Sequence, residues 1–187
     1  PNTVTSIEDG AFSDCDSLKS ITVPNSVTSI GDLAFSGCSS LKGFSIPNSV
    51  THISQRAFIS CQAIKSINIP EGVDFIGNYT FSGCSSLDSI KLPSTIKFIG
   101  KGAFMRCQSL KTIVLPNTVT KIGINAFLRC MNLNSITIPD SVTSIGDGAF
   151  TSCVALKSIT IPDSVTFVGD NVFSYCKSLA SINLSNN

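Results

Sequence analysis

Apolar and polar residues follow one another along the chain in a pattern that recurs every 23 residues. Each unit begins with a proline, and no insertion or deletion interrupts the series. The units start at Pro1, Pro24, Pro47, Pro70, Pro93, Pro116, Pro139 and Pro162. Self-similarity at a fixed period of this length is typical of a solenoid, in which each unit forms one coil. The pattern therefore predicts one solenoid domain of eight coils over residues 1–187.

Six positions of the unit, counted from its proline, are apolar in almost every copy. They are positions 4, 7, 12, 18, 21 and 23, which the seventh copy fills with Val142, Ile145, Phe150, Leu156, Ile159 and Ile161. A coil can bury its apolar edge only against the coils above and below it, so these columns are the predicted core. Position 12 is phenylalanine in all eight copies, which predicts a buried stack of rings.

Three short elements are predicted in each coil. Positions 18–23 alternate and are rich in β-branched residues, which indicates a strand with positions 21 and 23 facing the core. Positions 4–7 form a second extended segment on another side of the coil. The glycine common at position 8 is expected at a tight turn with positive φ. The Asp or Asn common at position 9 is expected to cap a short helical turn over positions 10–15.

Cysteine occupies position 15 of every copy: Cys15, Cys38, Cys61, Cys84, Cys107, Cys130, Cys153 and Cys176. Stacked in register, these side chains point the same way, which disfavours disulfide geometry. Free cysteine packs as a small hydrophobe, so we expect a reduced, buried ladder. No C-x-x-C pair occurs and His52 is the only histidine, so neither a zinc site nor another cofactor is expected.

The charge pattern excludes several functional classes. The net charge is +1, so no overall field favours nucleic acid, and apolar residues never run long enough for membrane insertion within this segment. With a single histidine and scattered carboxylates, the sequence offers no catalytic constellation, and we expect no enzyme. The chain begins at Pro1 without a methionine or a signal-peptide core, so we expect a fragment of a longer chain or a mature form.

The recurring pattern P-x-x-V-x-x-I-G-x-x-A-F-x-x-C-x-x-L-x-x-I-x-I resembles the BspA-like, or Treponema-type, leucine-rich repeat over residues 1–184. The resemblance implies an α/β-type leucine-rich-repeat solenoid. Such a fold is a β-rich, right-handed superhelix with a concave parallel sheet, a second extended segment and short helical turns. The resemblance also implies a cell-surface or secreted protein that binds host, matrix or neighbouring-cell proteins. It supplies no shared catalytic residues.

Differences between the copies indicate where a protein partner could bind. At position 6, His52, Phe75 and Phe98 replace the serine of other copies, and aromatic side chains are enriched at interfaces. The outward row at position 22 and the basic fifth and sixth copies supply further candidates, which are Asn68, Lys91, Val114, Lys97, Lys101, Arg106 and Arg129. The alternative is sequence drift on a tolerant surface.

The first and last copies lack the polar cap that terminal repeats normally carry. Phe12 and Phe173 would then lie on coils with one open face. Two hypotheses follow: either caps or further repeats were removed, or the coils stack end to end. End-to-end stacking would make the protein a self-assembling scaffold or filament. This hypothesis is the alternative to a binding and adhesion module.

Overall fold

The computed structural model describes residues 2–184, which form a parallel β-solenoid of eight coils. Equivalent positions of successive units pair in register, as Ser6 with Ser29 and Ile7 with Ile30. One 23-residue unit therefore makes one turn of the solenoid, as the sequence predicts. We number the coils 1 to 8 along the chain.

Positions 6 and 7 of every coil form a two-residue strand on one side, which we call the first sheet. These strands are β1 (Ser6–Ile7), β2 (Ser29–Ile30), β3 (His52–Ile53), β5 (Phe75–Ile76), β7 (Phe98–Ile99), β9 (Lys121–Ile122), β11 (Ser144–Ile145) and β13 (Phe167–Val168). The ladder is parallel but interrupted, since β1–β2–β3 and β5–β7–β9–β11–β13 are separate sheets. The interruption lies between coils 3 and 4.

The predicted strand at the end of each unit lies on another side, which we call the second sheet. Its strands are β4 (Ser66–Asn68), β6 (Ser89–Lys91), β8 (Thr112–Val114), β10 (Ser135–Thr137), β12 (Ser158–Ile161) and β14 (Ser181–Leu184). They pair as β4–β6, β8–β10 and β12–β14, and an isolated bridge joins Ser20 to Gly43 in the first two coils. In β8 and β10 position 21 is buried and its two neighbours are exposed, which confirms the predicted alternation.

The apolar columns form one continuous core along the solenoid. The rings at position 12 stack with centroids 5.2 to 5.8 Å apart. Phe35 to Phe150 of this column are fully buried, whereas Phe12 and Phe173 at its ends are only partly buried. Phe44, which replaces isoleucine at position 21, packs edge-on against Phe35 at 4.8 Å and Phe58 at 4.9 Å. The phenylalanine column is therefore confirmed as the centre of the core.

The helical turn predicted over positions 10–15 is wrong, because none of the described residues is helical. Backbone amides of this segment alternate between two kinds of acceptor. The Ala11 N–H donates to Glu8 C=O within the turn, at 3.2 Å, while the Phe12 N–H donates to Ala34 C=O in the next coil, at 2.8 Å. A helix satisfies its amides within itself, so the bonds to the next coil exclude one.

The glycine and cap predictions for this segment also need correction. Left-handed φ occurs at positions 10 and 14 of every coil, for example at Arg106 with φ 62°, and not at position 8. Glycine at position 8 instead permits close packing, since a Cβ on Gly123 would lie 2.6 Å from the carbonyl carbon of Gly100. The carboxylate of Asp9 caps no helix, because its Oδ1 accepts the Asp32 N–H of the next coil at 2.7 Å.

All eight cysteines are free, and those of coils 2 to 7 are buried, which confirms the predicted ladder there. Cys15 in coil 1 is exposed and Cys176 in coil 8 is half-buried, because each lies on a terminal coil. Burial raises the pKa of Cys84 to about 12, so its thiol is protonated at neutral pH. A protonated, buried thiol is a poor nucleophile, so the interior of this ladder is structural.

Candidate functional site

The candidate site lies where the first sheet is interrupted. At an intact junction, such as that of coils 4 and 5, two backbone bonds flank the strands. The Lys97 N–H donates to Asp74 C=O and the Gly100 N–H donates to Ile76 C=O, both at 2.8 Å. Backbone groups in folded proteins are nearly always paired in this way.

Between coils 3 and 4 both equivalent bonds are missing among the described residues. The Asp74 N–H does not reach Thr51 C=O, and the Gly77 N–H does not reach Ile53 C=O. The turns of the same two coils stay bonded, as the 2.7 Å bond from the Ser60 N–H to Ser82 C=O shows. The two coils therefore separate on the first-sheet side only.

Gly72 at position 3 is one sequence difference at this junction. Other coils carry Ser or Thr there, and the hydroxyl donates to a carbonyl of the preceding coil, as Thr95 Oγ1 does to Val73 O at 2.6 Å. Glycine has no such donor, so coil 4 lacks this bond to Val50. Position 5 also lacks its usual threonine in coil 4. Coil 5 lacks it too, because Lys97 occupies that position, and yet the ladder between coils 4 and 5 is intact. Of these two losses, only the one at position 3 is confined to the interrupted junction.

A groove of about 610 Å³ spans this interruption, and side chains of coils 1 to 5 line it. Its aromatic members are the three position 6 residues singled out from the sequence. The rings of His52 and Phe75 meet edge-on with centroids 5.7 Å apart, and Phe98 is the register partner of Phe75. Phe98 is 45% exposed, so its ring is available to a ligand.

Acidic and amide side chains at position 9 form the other wall of the groove, including Asp9, Asp32 and Asn78. In Asn78, Oδ1 accepts the N–H of Lys101 in the next coil at 2.9 Å. The equivalent bond is missing at Asp32, whose Oδ1 is shielded from solvent and has no hydrogen-bond partner. Its Oδ2 lies 3.6 Å from Arg56 Nη1. Among the described Asp and Asn side chains at position 9 that precede another coil, Asp32 alone lacks this bond.

A second unsatisfied group lies close to the floor of the groove. Thr80 replaces the alanine usual at position 11, is 1% exposed, and its Oγ1 has no partner. This oxygen lies 3.1 Å from the point that a Cβ on Gly77 would occupy, and Gly77 lines the groove. Unsatisfied buried groups are rare in native structures and call for a structural or functional explanation.

The candidates predicted at position 22 lie on the second sheet, away from the groove. Asn68 and Lys91 are register partners in β4 and β6. Val114 is 82% exposed, the most exposed of the large apolar side chains in the described range. These residues form a separate, shallow surface.

The basic candidates are spread over the edge of the first sheet and the turns. Lys97 Nζ lies 3.3 Å from Asp74 Oδ2, and Lys101 Nζ lies 6.0 Å from the centroid of the Tyr79 ring. Arg106 and Arg129 are exposed at position 14, where φ is 62° and 60°. Of the ten residues predicted from the sequence, the groove brings together only His52, Phe75 and Phe98.

Sequence reasoning missed the acidic wall and the exposed Phe167. Asp32 belongs to position 9, for which the sequence predicts a helix cap, and nothing in one copy of the unit shows that position 9 lies beside position 6. Phe167, at position 6 of coil 8, is 55% exposed and belongs to the same row as Phe75 and Phe98. The residues at position 6 stand out in the sequence because they differ from the serine of other copies. The gap between coils 3 and 4 is indicated only by Gly72.

Within residues 2–184, no group of three or more His, Cys, Asp or Glu side chains could hold a metal ion. The same part of the chain contains no helix with the length and apolarity needed to span a membrane.

The stacked coils, parallel ladders and buried leucine, isoleucine and phenylalanine columns define a leucine-rich-repeat solenoid. A family model described as the BspA type leucine rich repeat region, with six copies, matches residues 1–111 and 97–187. The chain belongs to this BspA-type leucine-rich-repeat family. No curated protein sequence matches it significantly.

Solved structures of bacterial proteins share the fold. A leucine-rich repeat protein from Bacteroides ovatus is 37% identical with a TM-score of 0.86, over 90% of this chain and 46% of that one. A leucine rich cell surface protein from Faecalibacterium prausnitzii is 34% identical with a TM-score of 0.77, over 99% and 59%. The leucine rich repeat protein of T. pallidum is 30% identical with a TM-score of 0.63, over 94% and 72%. The chain thus spans about half the length of the first two relatives.

Proposed function

We propose that this protein is an interaction module that recognises a protein partner through side chains exposed on its coils. The partner would be a host, matrix or neighbouring-cell protein, and the module would belong to a cell-surface or secreted protein. The likeness to a bacterial cell surface protein supports this location. The proposal assigns the module no catalytic activity.

The observation that carries the proposal is the contrast between a uniform core and a variable groove. The core columns keep their residue types through coils 1 to 8, whereas position 6 changes from serine to His52, Phe75 and Phe98 where the groove opens. Exposed aromatic side chains in a concave site with unsatisfied polar neighbours are typical of a binding site. A solenoid also presents such rows on an extended surface suited to proteins.

Three double variants test the proposal, one for each side of the coil that carries predicted residues. Each variant restores residue types found at the same position in other coils, which protects the fold. They are Phe75→Ser with Phe98→Ser for the groove, Lys91→Thr with Val114→Thr for the second sheet, and Arg106→Ser with Arg129→Ser for the turns. Affinity for a panel of purified extracellular matrix and host-surface proteins is measured by surface plasmon resonance.

We expect a partner from the panel to lose at least about tenfold in affinity with the groove variant, since removal of a central aromatic contact typically costs more than ~1 kcal/mol. The other two variants should bind as the wild type does, with all melting temperatures within a few degrees. If none of the three sides affects binding of any panel protein, the proposal is wrong.

A second candidate function, end-to-end assembly, is favoured by the matched ends of the described range. Within residues 2–184, the backbone N–H groups at positions 10, 12 and 14 of coil 8 have no acceptor, and the carbonyls at positions 9, 11 and 13 of coil 1 have no donor. Interior coils pair these same groups, as the Arg129 N–H does with Thr151 C=O at 2.8 Å. A second copy could therefore continue the ladder across the apolar ends.

Sedimentation velocity over a range of concentrations tests assembly. If copies stack, the sedimentation coefficient should rise with concentration, and Ile182→Lys on the open face of coil 8 should abolish the rise. Ile124→Lys is the matched control, because Ile124 is 42% exposed on an interior coil and Ile182 is 45% exposed. A coefficient that stays at the monomer value would eliminate this candidate.

A further inference from the structure

We propose that the groove between coils 3 and 4 binds a lysine or arginine side chain presented by an extended segment of the partner protein. This inference rests on the proposed function and adds the chemistry that the partner would carry. Four features of the groove support it: its charge, an unsatisfied carboxylate oxygen, its aromatic wall and its unpaired backbone groups.

The charge of the groove is complementary to a cation. Its charged lining residues are Asp9 and Asp32, and neither a lysine nor an arginine is among the residues that line it. The chain as a whole has a net charge of +1, so this acidity is local and not a general property of the surface. A concave site walled by one sign of charge raises the local concentration of the opposite charge.

The Oδ1 atom of Asp32 supplies a specific acceptor. Among the described residues this atom is shielded from solvent and lacks a donor, and a buried acceptor without a partner is destabilising, more so when it is charged. The Asp32 side chain as a whole is 28% exposed, so rotation of its carboxylate would bring this oxygen to an incoming ammonium or guanidinium N–H. The ion pair with Arg56 does not fill this role, since it engages Oδ2, at 3.6 Å, and the Arg56 side chain is 41% exposed.

The aromatic wall suits the rest of such a side chain. Phe75 and Phe98 are adjacent in the ladder, so their rings form a continuous apolar strip beside the acidic wall. A cation over an aromatic face is attracted by the ring quadrupole, and the methylene stem of lysine or arginine packs on apolar surface. An aromatic strip next to carboxylates combines both requirements.

The interrupted ladder offers contacts to the backbone of the bound segment. The Asp74 N–H and the Thr51 C=O, beside the groove, are unpaired among the described residues, and Thr51 is exposed. An extended peptide gains affinity from main-chain hydrogen bonds to such unpaired strand groups, while side-chain pockets give specificity. The occupant is therefore an extended segment with a basic side chain and not a free cation.

The experiment titrates the uniformly 15N-labelled chain with a capped pentapeptide of glycine and serine that carries arginine at its centre. The same peptide with citrulline, the uncharged isostere of arginine, is the ligand control. We expect the amide chemical shift changes to concentrate at Asp32, His52, Gly77 and Phe98. The affinity for the citrulline peptide should be at least about fivefold weaker, because citrulline loses the cation–π contact and the charged hydrogen bond.

Four variants sharpen the test. Asp32→Asn and the pair Phe75→Ser with Phe98→Ser should each weaken arginine binding at least about threefold. Arg56→Asn, which removes the competing cation and restores a residue type found at position 10 of coils 6 and 8, should strengthen it about twofold or more. Val114→Thr, on the second sheet, should leave the affinity unchanged.

Three outcomes overturn the inference: no shift changes at the groove, equal affinity for arginine and citrulline, or groove shifts produced by a methyl glycoside of N-acetylglucosamine but not by the arginine peptide. The last would make the groove a carbohydrate site. If the arginine peptide fails while a panel protein still binds through any of the three tested sides, only this inference is wrong and the proposed function stands.

Discussion

The Sγ atom of Cys84 lies 3.2 Å from the carbonyl oxygen of Phe58 in the preceding coil and donates a hydrogen bond to it. The same bond recurs along the ladder, at 3.0 Å from Cys61 to Phe35 and at 3.1 Å from Cys107 to Phe81. Position 15 is thus linked to position 12 of the coil below. Each of these thiols therefore donates to a backbone carbonyl beside the buried rings, which gives the cysteine column a structural role.

The first prediction concerns the stability that this bond supplies. Cys84→Ala should lower the free energy of unfolding by about 1–3 kcal/mol, because it opens a small cavity and removes one of the two hydrogen bonds that the Phe58 C=O accepts, the other coming from the Cys61 N–H at 3.3 Å. Cys15→Ala is the matched control, since Cys15 is exposed and should change stability by less than ~0.5 kcal/mol. Urea unfolding followed by circular dichroism measures both. Equal stabilities for the two variants would contradict the structural role of the ladder.

The second prediction concerns alkaline pH. Burial raises the pKa of Cys84 to about 12 and that of Cys61, Cys107, Cys130 and Cys153 above the ordinary value as well. At a pH below ~8.5 both folded and unfolded thiols are protonated, and their contribution to stability is constant. Above that pH the unfolded chain loses thiol protons that the folded chain keeps, so stability falls as pH rises.

Urea unfolding at pH 7 to 10.5 in a reducing buffer checks this dependence. Each buried thiol should contribute a slope of about 1.4 kcal/mol per pH unit above its unfolded pKa. Cys84→Ala should therefore show a shallower alkaline decline than the wild type, and the difference between the two curves removes the effects of lysine and tyrosine. Parallel curves would refute the assignment of the decline to this thiol.

The third prediction concerns glycine at position 8. Gly123→Ala should destabilise the chain by about 1–3 kcal/mol, because its Cβ would meet the Gly100 carbonyl carbon at 2.6 Å and backbone cannot move aside without breaking the ladder. Gly43→Ala is the control, since nothing lies within 4 Å of its Cβ. Thermal melts should show a lower transition for the first variant only. A Gly123→Ala transition equal to the wild type would show that close packing does not govern this column.

The fourth prediction concerns backbone strain at position 14. Arg106 adopts φ 62°, a conformation that raises the energy of a non-glycine residue by about 1–2 kcal/mol. Coils 2 and 4 place glycine at this position, with φ 70° and 76°. Arg106→Gly should therefore raise the melting temperature, whereas Lys111→Gly, at an exposed site without positive φ, should lower it slightly. A lower melting temperature for Arg106→Gly would contradict the strain argument.

The core could be predicted from the sequence because each of its positions recurs in all eight units. Phe104, Cys107 and Leu110 fall in columns whose neighbours above and below have the same type, so burial follows from stacking alone. The turn could not be predicted in the same way. Its conformation depends on amides that bond to the next coil, and residues such as Leu33 and Tyr79, at φ 56° and 57°, give no local signal for left-handed backbone.

The site was predicted in part. Departures from serine identified His52, Phe75 and Phe98 as one row, and the structure places them along one groove. The opening itself was not predicted, because the hydroxyl that Gly72 lacks would bond to the preceding coil, and one unit taken alone does not show that bond. Asp32 could not be recognised because its unsatisfied oxygen depends on how coils 2 and 3 meet and not on the residue type.

The claim on which the groove depends is that the ladder is interrupted between coils 3 and 4, and amide hydrogen exchange tests it most directly. The Gly100 N–H is bonded to Ile76 C=O at 2.8 Å, whereas the equivalent Gly77 N–H has no such bond. We predict that the Gly77 amide exchanges orders of magnitude faster than the Gly100 amide, and that Gly72→Ser slows it by restoring the missing hydroxyl. Equal protection of the two amides in the wild-type chain would contradict the interrupted ladder and the groove built on it.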